Sequence, residues 1–294
     1  MNDLAKTFTQ PAPAQIIQKP LNKMGRMLLE SGKLSLEDLK AIVSYQEQHG
    51  LRFGDAAQQL GLVTAEDINI ALADQFSYTR TPDRNSKLDK RLLAAFQPDS
   101  AHSEALRSLR SELLLRYFNQ GSHLSLALIG SDDSEGIALT AANLAVVFSQ
   151  LGIRTLLIDS NLRSPQLHQL FGLNERNLGL ADLLAGRTFA APVEIPELKS
   201  LWVIPAGTPA PNPQELLTGK LFSAQMSELA AGFDVTLIST PPMRENRDGQ
   251  LVAVNTGAAL LVVQEHSSRY QDLVSICSGL RELGVRLLGA ALKQ

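Results

Sequence analysis

Apolar positions along the chain follow two regimes. From about residue 120 onward, short and nearly continuous apolar runs alternate with longer stretches of helical spacing. The runs are "LSLALIG" (124–130), "RTLLID" (154–159), "LWVIP" (201–205), "DVTLIS" (234–239), "AALLVV" (258–263) and "RLLGAAL" (286–292). Strands that are apolar at every position, not at alternate ones, must be covered on both faces, and helices between them supply the cover. The pattern predicts a doubly wound, mainly parallel α/β domain of about 190 residues over 101–294. Ligands in such sheets sit at the C-terminal ends of the strands.

The first part of the chain is patterned differently. Residues 1–22 are polar and proline-punctuated and read as a flexible tail. Next, "KMGRMLLESGKLSLEDLKAIVSYQ" (23–46) repeats as "RFGDAAQQLGLVTAEDINIALADQ" (52–75) at a constant offset of 29. Each copy predicts a short helix, a glycine turn and a second helix. Ser35 and Thr64 are placed as N-caps, with Asp38 and Asp67 three residues on to close capping boxes. The two hairpins make a small all-helical repeat domain over 23–76. The charged stretch 77–100 reads as a linker, and "HSEALRSLRSELLLRYF" (102–118) has helical spacing.

Composition narrows the function classes. A net charge of −3 lacks the basic footprint of a duplex nucleic-acid binder, so no nucleic-acid partner is expected. The single cysteine, Cys277, excludes an intrachain disulfide and fits a reducing compartment; its helical surroundings predict a structural thiol, and no metal site is expected. No apolar run reaches the roughly 18–20 residues of a membrane span, and the N-terminus has no signal-like apolar region. The expectation is a cytoplasmic protein that reaches the inner membrane only through a partner.

The stretch with candidate chemistry is "SDDSEGIALTAANLA" (131–145), which follows the first apolar run and opens a helix. A phosphate-binding loop belongs there, its backbone N–H groups cradling phosphate, a lysine on the β/γ-phosphates and a hydroxyl on Mg²⁺. No Lys or Arg occurs between 131 and 153, and Asp132 and Asp133 would repel a polyphosphate unless a cation intervened.

The blocks "EALRSLRSELLLRYF", "TAANLAVVFSQLGIRTLLIDSNLRSPQLHQLFGL", "GLADLLAG", "IPAGTPAPNPQELL" and "DVTLISTPP" occur in order. With them the chain resembles the bacterial tyrosine kinases, P-loop autokinases of exopolysaccharide synthesis, and within these the EpsG-like, exosortase-associated chain-length-determinant kinases. The resemblance implies a P-loop NTPase-like fold, with nucleotide contacts at Ser134, Glu135, Gly136, Ile137, Ala138 and Leu139. Against the family loop, Ile137 stands at the basic position and Ala138 at the hydroxyl position. Asp159 matches the second signature, Asn161 replaces an acid there, and Ser239 replaces the Asp of the third. The family's C-terminal tyrosine cluster has no counterpart, since the last tyrosine is Tyr270. Glu104, Arg107 and Arg110 match the E-x-x-R-x-x-R stretch that assembles such kinases into rings; on helix spacing alone they equally suit a solvated salt-bridged face.

The repeat domain resembles the MshEN domain of type II secretion ATPases, which binds cyclic di-GMP. The implied contacts are Lys23, Met24, Gly25, Leu28, Leu29, Gly32 and Gln46, then Arg52, Phe53, Gly54, Gly61, Leu62 and Gln75. The plainer reading is a helical docking module whose glycines cap helices.

Three functions stay open on the sequence. The first is a kinase-like regulatory or structural subunit, a pseudokinase with ATP/Mg binding in doubt. It would dock on a membrane chain-length-determinant protein, as a homo-oligomer or with a kinase paralogue. The second is an active ATP-dependent tyrosine autokinase. The third is a ParA/MinD-like ATPase, which would need the same lost lysine.

Overall fold

The computed structural model describes residues 23–65, 67–68, 82–83, 85–121, 124–174, 177–187, 191–244 and 246–293. The chain divides into two compact units, Met1–Tyr78 and Thr79–Gln294. The expected tail, 1–22, lies outside the described residues, as does Gln75.

In the first unit, α1 (Lys23–Glu30), α2 (Leu36–His49) and α3 (Phe53–Gln59) enclose one apolar cluster. Positions related by the repeat do the same work. Leu34 and Val63 are both buried, as are Leu39 and Ile68. Both capping boxes form. Ser35 Oγ accepts from the Asp38 N–H at 3.1 Å while Asp38 accepts the Ser35 N–H at 2.8 Å. Thr64 Oγ1 accepts from Asp67 N–H at 3.1 Å, and Asp67 accepts Thr64 N–H at 3.0 Å. These bonds, the one from the Thr64 N–H foremost, hold the Asp67 carboxyl well below the usual carboxylate range. They satisfy donors that every helix start leaves open.

The second unit is built on a seven-stranded sheet. Its N-terminal approach contains α4 (Leu93–Phe96) and α5 (Ala101–Arg116). Then β1 (Leu124–Ile129), α6 (Ser134–Ser149), β2 (Thr155–Asp159), α7 (Leu167–Leu170), α8 (Leu180–Leu184), β3 (Val193–Glu194) and β4 (Leu201–Ile204) follow. The chain continues through α9 (Pro213–Thr218), α10 (Lys220–Ala230), β5 (Val235–Ser239), α11 (Asp248–Thr256), β6 (Ala258–Gln264), α12 (Tyr270–Glu282) and β7 (Arg286–Lys293). Strand order is β3-β4-β2-β5-β1-β6-β7, with every pairing parallel except β3 on β4. The six expected strands are all present; β3, at two residues, is too short to leave a pattern.

Two apolar clusters cover the sheet. The first gathers Leu126 and Leu128 with Leu106, Leu113, Ala141, Leu144 and Phe148 from α5 and α6. The second gathers Ala127 and Ile129 with Leu180, Leu217, Phe222, Val252 and Leu280 from the opposite helices. Cys277 lies half-buried against that second cluster.

The expected linker is corrected from residue 85 onward. Leu88, Leu92, Ala94 and Ala95 are buried in the first cluster. Asn143 of α6 accepts the Ala94 N–H at 2.9 Å, and Gln150 donates to the Ala94 carbonyl at 2.8 Å. The segment looked like a linker because its apolar positions are few. Most of them are nevertheless used, and the Ala94 backbone is satisfied by side chains that lie about 50 residues away in sequence.

Candidate functional site

The loop after β1 stands where the fold places a ligand, at the C-terminal end of the central strands. Its backbone is held from the neighbouring crossing, since Met243 N–H donates to Gly130 O and Arg244 N–H to Ser131 O, both at 2.9 Å. The Thr240 hydroxyl donates to Leu128 O at 2.8 Å. Asp133 is the N-cap of α6, its Oδ1 accepting the Gly136 N–H at 2.8 Å. The helix N-terminus that would meet an anion therefore holds the chain's own carboxylate.

Ile137 does not project from the loop. It is 1% exposed, belongs to the core, and lies so close beneath Gly130 that a Cβ there would sit 2.9 Å from Ile137 Cδ1. Ala138 is buried and Leu139 packs against the same core. Ser134 accepts a 2.7 Å hydrogen bond from Asn161 Nδ2, and Asn161 Oδ1 accepts from Ser164 N–H at 3.0 Å. Asn161 thus ties the loop to the turn after β2, a bridging role that a carboxylate in its place could not fill as a donor.

Asp159 is 1% exposed and accepts backbone N–H groups of Asn161, Gln166 and Leu167 at 3.1, 3.0 and 3.0 Å. Burial pushes its carboxyl up to about 6, against the pull of those three donors and of His168. Ser239 is buried opposite it in register on β5.

The loop's acids meet cations that the local sequence does not contain. Glu135 is paired with Arg91, whose own charge is reinforced chiefly by Asp89. Asp132 faces Arg244 at 4.0 Å, which also reaches Asp272 at 3.8 Å. Asp133 Oδ2 lies 3.4 Å from Lys293 Nζ, 160 residues away in sequence. The expected repulsion is therefore compensated by tertiary structure. No local signal marks these partners: Arg91 reaches the loop only once its segment packs on α6, and Arg244 and Lys293 only once β5, β6 and β7 are in order.

The other candidate residues fall as follows. Glu104 and Arg107 form an exposed pair at 2.6 Å, whereas Arg110 is 9% exposed and donates to Val147 O at 2.7 Å. Arg110 is thus turned inward, away from the face it was expected to share. Tyr117 is buried and donates to Ser125 O at 2.9 Å, while Tyr270 is exposed. In the helical unit, Met24, Leu28 and Phe53 are core, with Leu29 and Leu62 partly buried beside them. Gly25 lies against Leu39 and Phe53, and Gly54 against Ile68, at distances where a Cβ would sit 3.2–3.3 Å from its neighbours. Gly32 and Gly61 occupy left-handed turns with φ of 71° and 67°. Gln46 donates to Leu51 O at 3.2 Å, Arg52 caps α3 and is exposed, and α1 starts at Lys23. These contacts explain both glycine pairs and the aliphatic positions by helix packing and turn geometry alone.

Among the described residues, no group of three or more His, Cys, Asp or Glu side chains could hold a metal ion, and no helix is long and apolar enough to cross a membrane.

A parallel sheet carrying a strand–loop–helix at its centre defines a P-loop NTPase-like domain. The cell-division ATPase MinD of Pyrococcus furiosus shares this fold, with a TM-score of 0.51 at 22% identity. No protein-family model matches the chain. Among curated proteins it is 31% identical to the tyrosine-protein kinase YwqD of Bacillus subtilis over 209 residues, covering 71% of this chain and 87% of that protein. It is 30% identical to CapB of Staphylococcus aureus, named as a tyrosine-protein kinase, over 67% of this chain and 86% of the relative. The crystal structure of the chimerical protein CapA2B2 superposes with a TM-score of 0.64 at 28% identity, covering 78% of this chain and 98% of that one. The kinase domain of the Escherichia coli tyrosine kinase ETK gives 0.64 at 27% identity, over 72% and 82%. The chain belongs to the bacterial tyrosine-protein kinase family.

Proposed function

We propose that this chain is a kinase-fold subunit of bacterial exopolysaccharide synthesis and export that regulates or scaffolds and does not turn ATP over. The observation that carries this is the state of the loop. Asp133 occupies the helix N-terminus, and Ile137, at the family's basic position, is a core residue. The groups present do not fit Mg·ATP. Ala138 offers no hydroxyl to a cation, Asp159 is engaged by three backbone donors, and Ser239 brings no charge. The pathway is supported by relatives that include a Klebsiella pneumoniae kinase named for the cps region. The partner is a membrane chain-length-determinant protein, engaged as a homo-oligomer or together with a kinase paralogue, which brings the chain to the inner membrane. The helical unit senses cyclic di-GMP, with exposed Arg52 as its leading contact.

A second reading, an active autokinase, is favoured by the relatives' names and by the retained Asp159. Incubating the purified chain with Mg·ATP and probing for phosphotyrosine decides between the two. No labelling is expected; robust labelling that Asp159→Ala abolishes would overturn the first. For the helical unit, calorimetry with cyclic di-GMP on the full chain should show binding at micromolar concentrations that Arg52→Ala weakens. Absence of heat from a folded chain removes the sensor role.

A further inference from the structure

The sheet ends on β7, which pairs with β6 on one side and with no described strand on the other. An open edge of this kind is a template for another strand, and proteins guard it with charge, with proline or with a bulge. β7 carries charge only at its two ends, and both charges are turned back onto their own chain. Arg286 donates to Gln120 Oε1 at 3.1 Å and to the Arg116 carbonyl at 3.0 Å. Lys293 reaches Asp133 at 3.4 Å. A bulge at Leu288, between the Leu287 and Gly289 pairings with Ala259 and Leu260, interrupts the first half of the strand. The stretch 289–293, Gly-Ala-Ala-Leu-Lys, stays regular and unguarded.

The backbone of that stretch has a fixed sense. The Lys293 carbonyl accepts the Glu265 N–H at 2.8 Å, so Lys293 is turned inward to β6. Alternation then turns the N–H and C=O groups of Ala290 and Leu292 outward, where none of the described residues bonds to them. Their side chains lie on the face opposite Ala291, which packs on the first apolar cluster. Leu292 is 64% exposed, and Ala290 is exposed beside it.

We propose that this edge is a two-fold interface between two copies of the chain, β7 against β7, antiparallel about Ala291. In that register the whole regular stretch pairs with itself. Ala291 stands opposite Ala291 of the other copy, Ala290 opposite Leu292, and Gly289 opposite Lys293. The outward residues exchange both of their backbone hydrogen bonds, and the two Ala291 residues form the non-hydrogen-bonded pair at the centre. Exposed Leu292 covers exposed Ala290, and each lysine meets a glycine and no second cation. Moving the dyad to Ala290 would instead set the bulge at Leu288 against Leu292. A second copy is the occupant because the stretch is complementary to itself, the condition a two-fold contact requires. So short a contact is weak and concentration-dependent. The inference names the surface of the homo-oligomer in the proposed function and rests on that oligomer, not on the loss of turnover.

The test is sedimentation equilibrium of the full chain from about 1 to about 300 µM, the range in which so small a contact associates. A monomer–dimer equilibrium is expected. Leu292→Lys changes an exposed position and should weaken it at least about tenfold, with circular dichroism establishing that the variant is folded. Cross-linking reads the register, in a Cys277→Ser background so that no native thiol competes. Ala291→Cys places two thiols in the central pair, with Cα atoms about 4.5 Å apart and within reach of a disulfide. Ala290→Cys places them on a diagonal of about 7–8 Å, beyond that reach. Mild oxidation should give a covalent dimer of the first and not of the second. A chain that stays monomeric throughout overturns the interface. So does a smaller effect of folded Leu292→Lys, or association that Glu104→Lys abolishes instead. Cross-linking at 290 that equals that at 291 overturns the pairing. Phosphotyrosine on the wild-type chain would strike the loss of turnover alone and leave the dimer standing.

Discussion

Placing a lysine at position 137 should damage the protein and should not create a working site. Ile137→Lys puts an ammonium where a 1% exposed side chain now packs beneath Gly130. Truncating a buried isoleucine costs about 2–5 kcal/mol through lost burial and the cavity left behind. Lysine recovers part of that with its aliphatic stem but must either bury its charge or force the stem out past the loop. The net expectation is a loss of about 3–5 kcal/mol, a melting-temperature drop of about 6–20 °C for a domain of this size. Differential scanning calorimetry of wild type, Ile137→Lys and a control, Ile137→Val, measures this; the control should lose only about 0.5–1.5 kcal/mol. The double variant Ile137→Lys/Ala138→Ser should show the same loss and no phosphotyrosine. An Ile137→Lys protein melting within about 3 °C of wild type would refute the reasoning, since 137 would then be a loop position and not a core one.

Three further outcomes follow from the same geometry. Arg110→Ala should cost about 2–4 kcal/mol by chemical denaturation, since it empties a buried site and orphans the Val147 carbonyl, whereas Glu104→Ala should change stability by less than about 1 kcal/mol. Gly179→Ala should destabilise by at least about 3 kcal/mol, because its Cβ would overlap the Pro205 carbonyl oxygen and the Gly207 nitrogen, both backbone atoms that no rotamer change can move aside; thermal melts check it. Asp159 has a folded-state value of about 6, above the 3.8 of an unperturbed Asp, so ionising it opposes folding. Its contribution is neutral below pH 4 and becomes unfavourable as pH rises through 6, by about 3 kcal/mol. The stability difference between wild type and Asp159→Asn, followed by urea denaturation from pH 4 to 7.5, should shift by that amount against the wild type; a flat difference would contradict it.

The sequence by itself determined the strands of the sheet and the helices between them. Runs such as "DVTLIS" can be stable only inside a covered sheet, and the 29-residue offset that aligns Ser35 with Thr64 was enough to place both capping boxes. Such features are local: a period, a cap, a turn glycine. The position of the loop was equally legible, as was the absence of any Lys or Arg between 131 and 153. What the tertiary structure alone decided was where each side chain of the loop goes. Packing against Gly130 turned Ile137 into a core residue, and a buried carbonyl at Val147 drew Arg110 inward from a face that looked solvated. The apolar positions of 85–96 were too sparse to read as core until α6 supplied their partners. The pairing of Asp133 with Lys293 depends on strand order, which brings the end of β7 to the loop after β1. No spacing along the chain encodes that proximity, because two charges interact through space and the sequence records only their separation along the backbone.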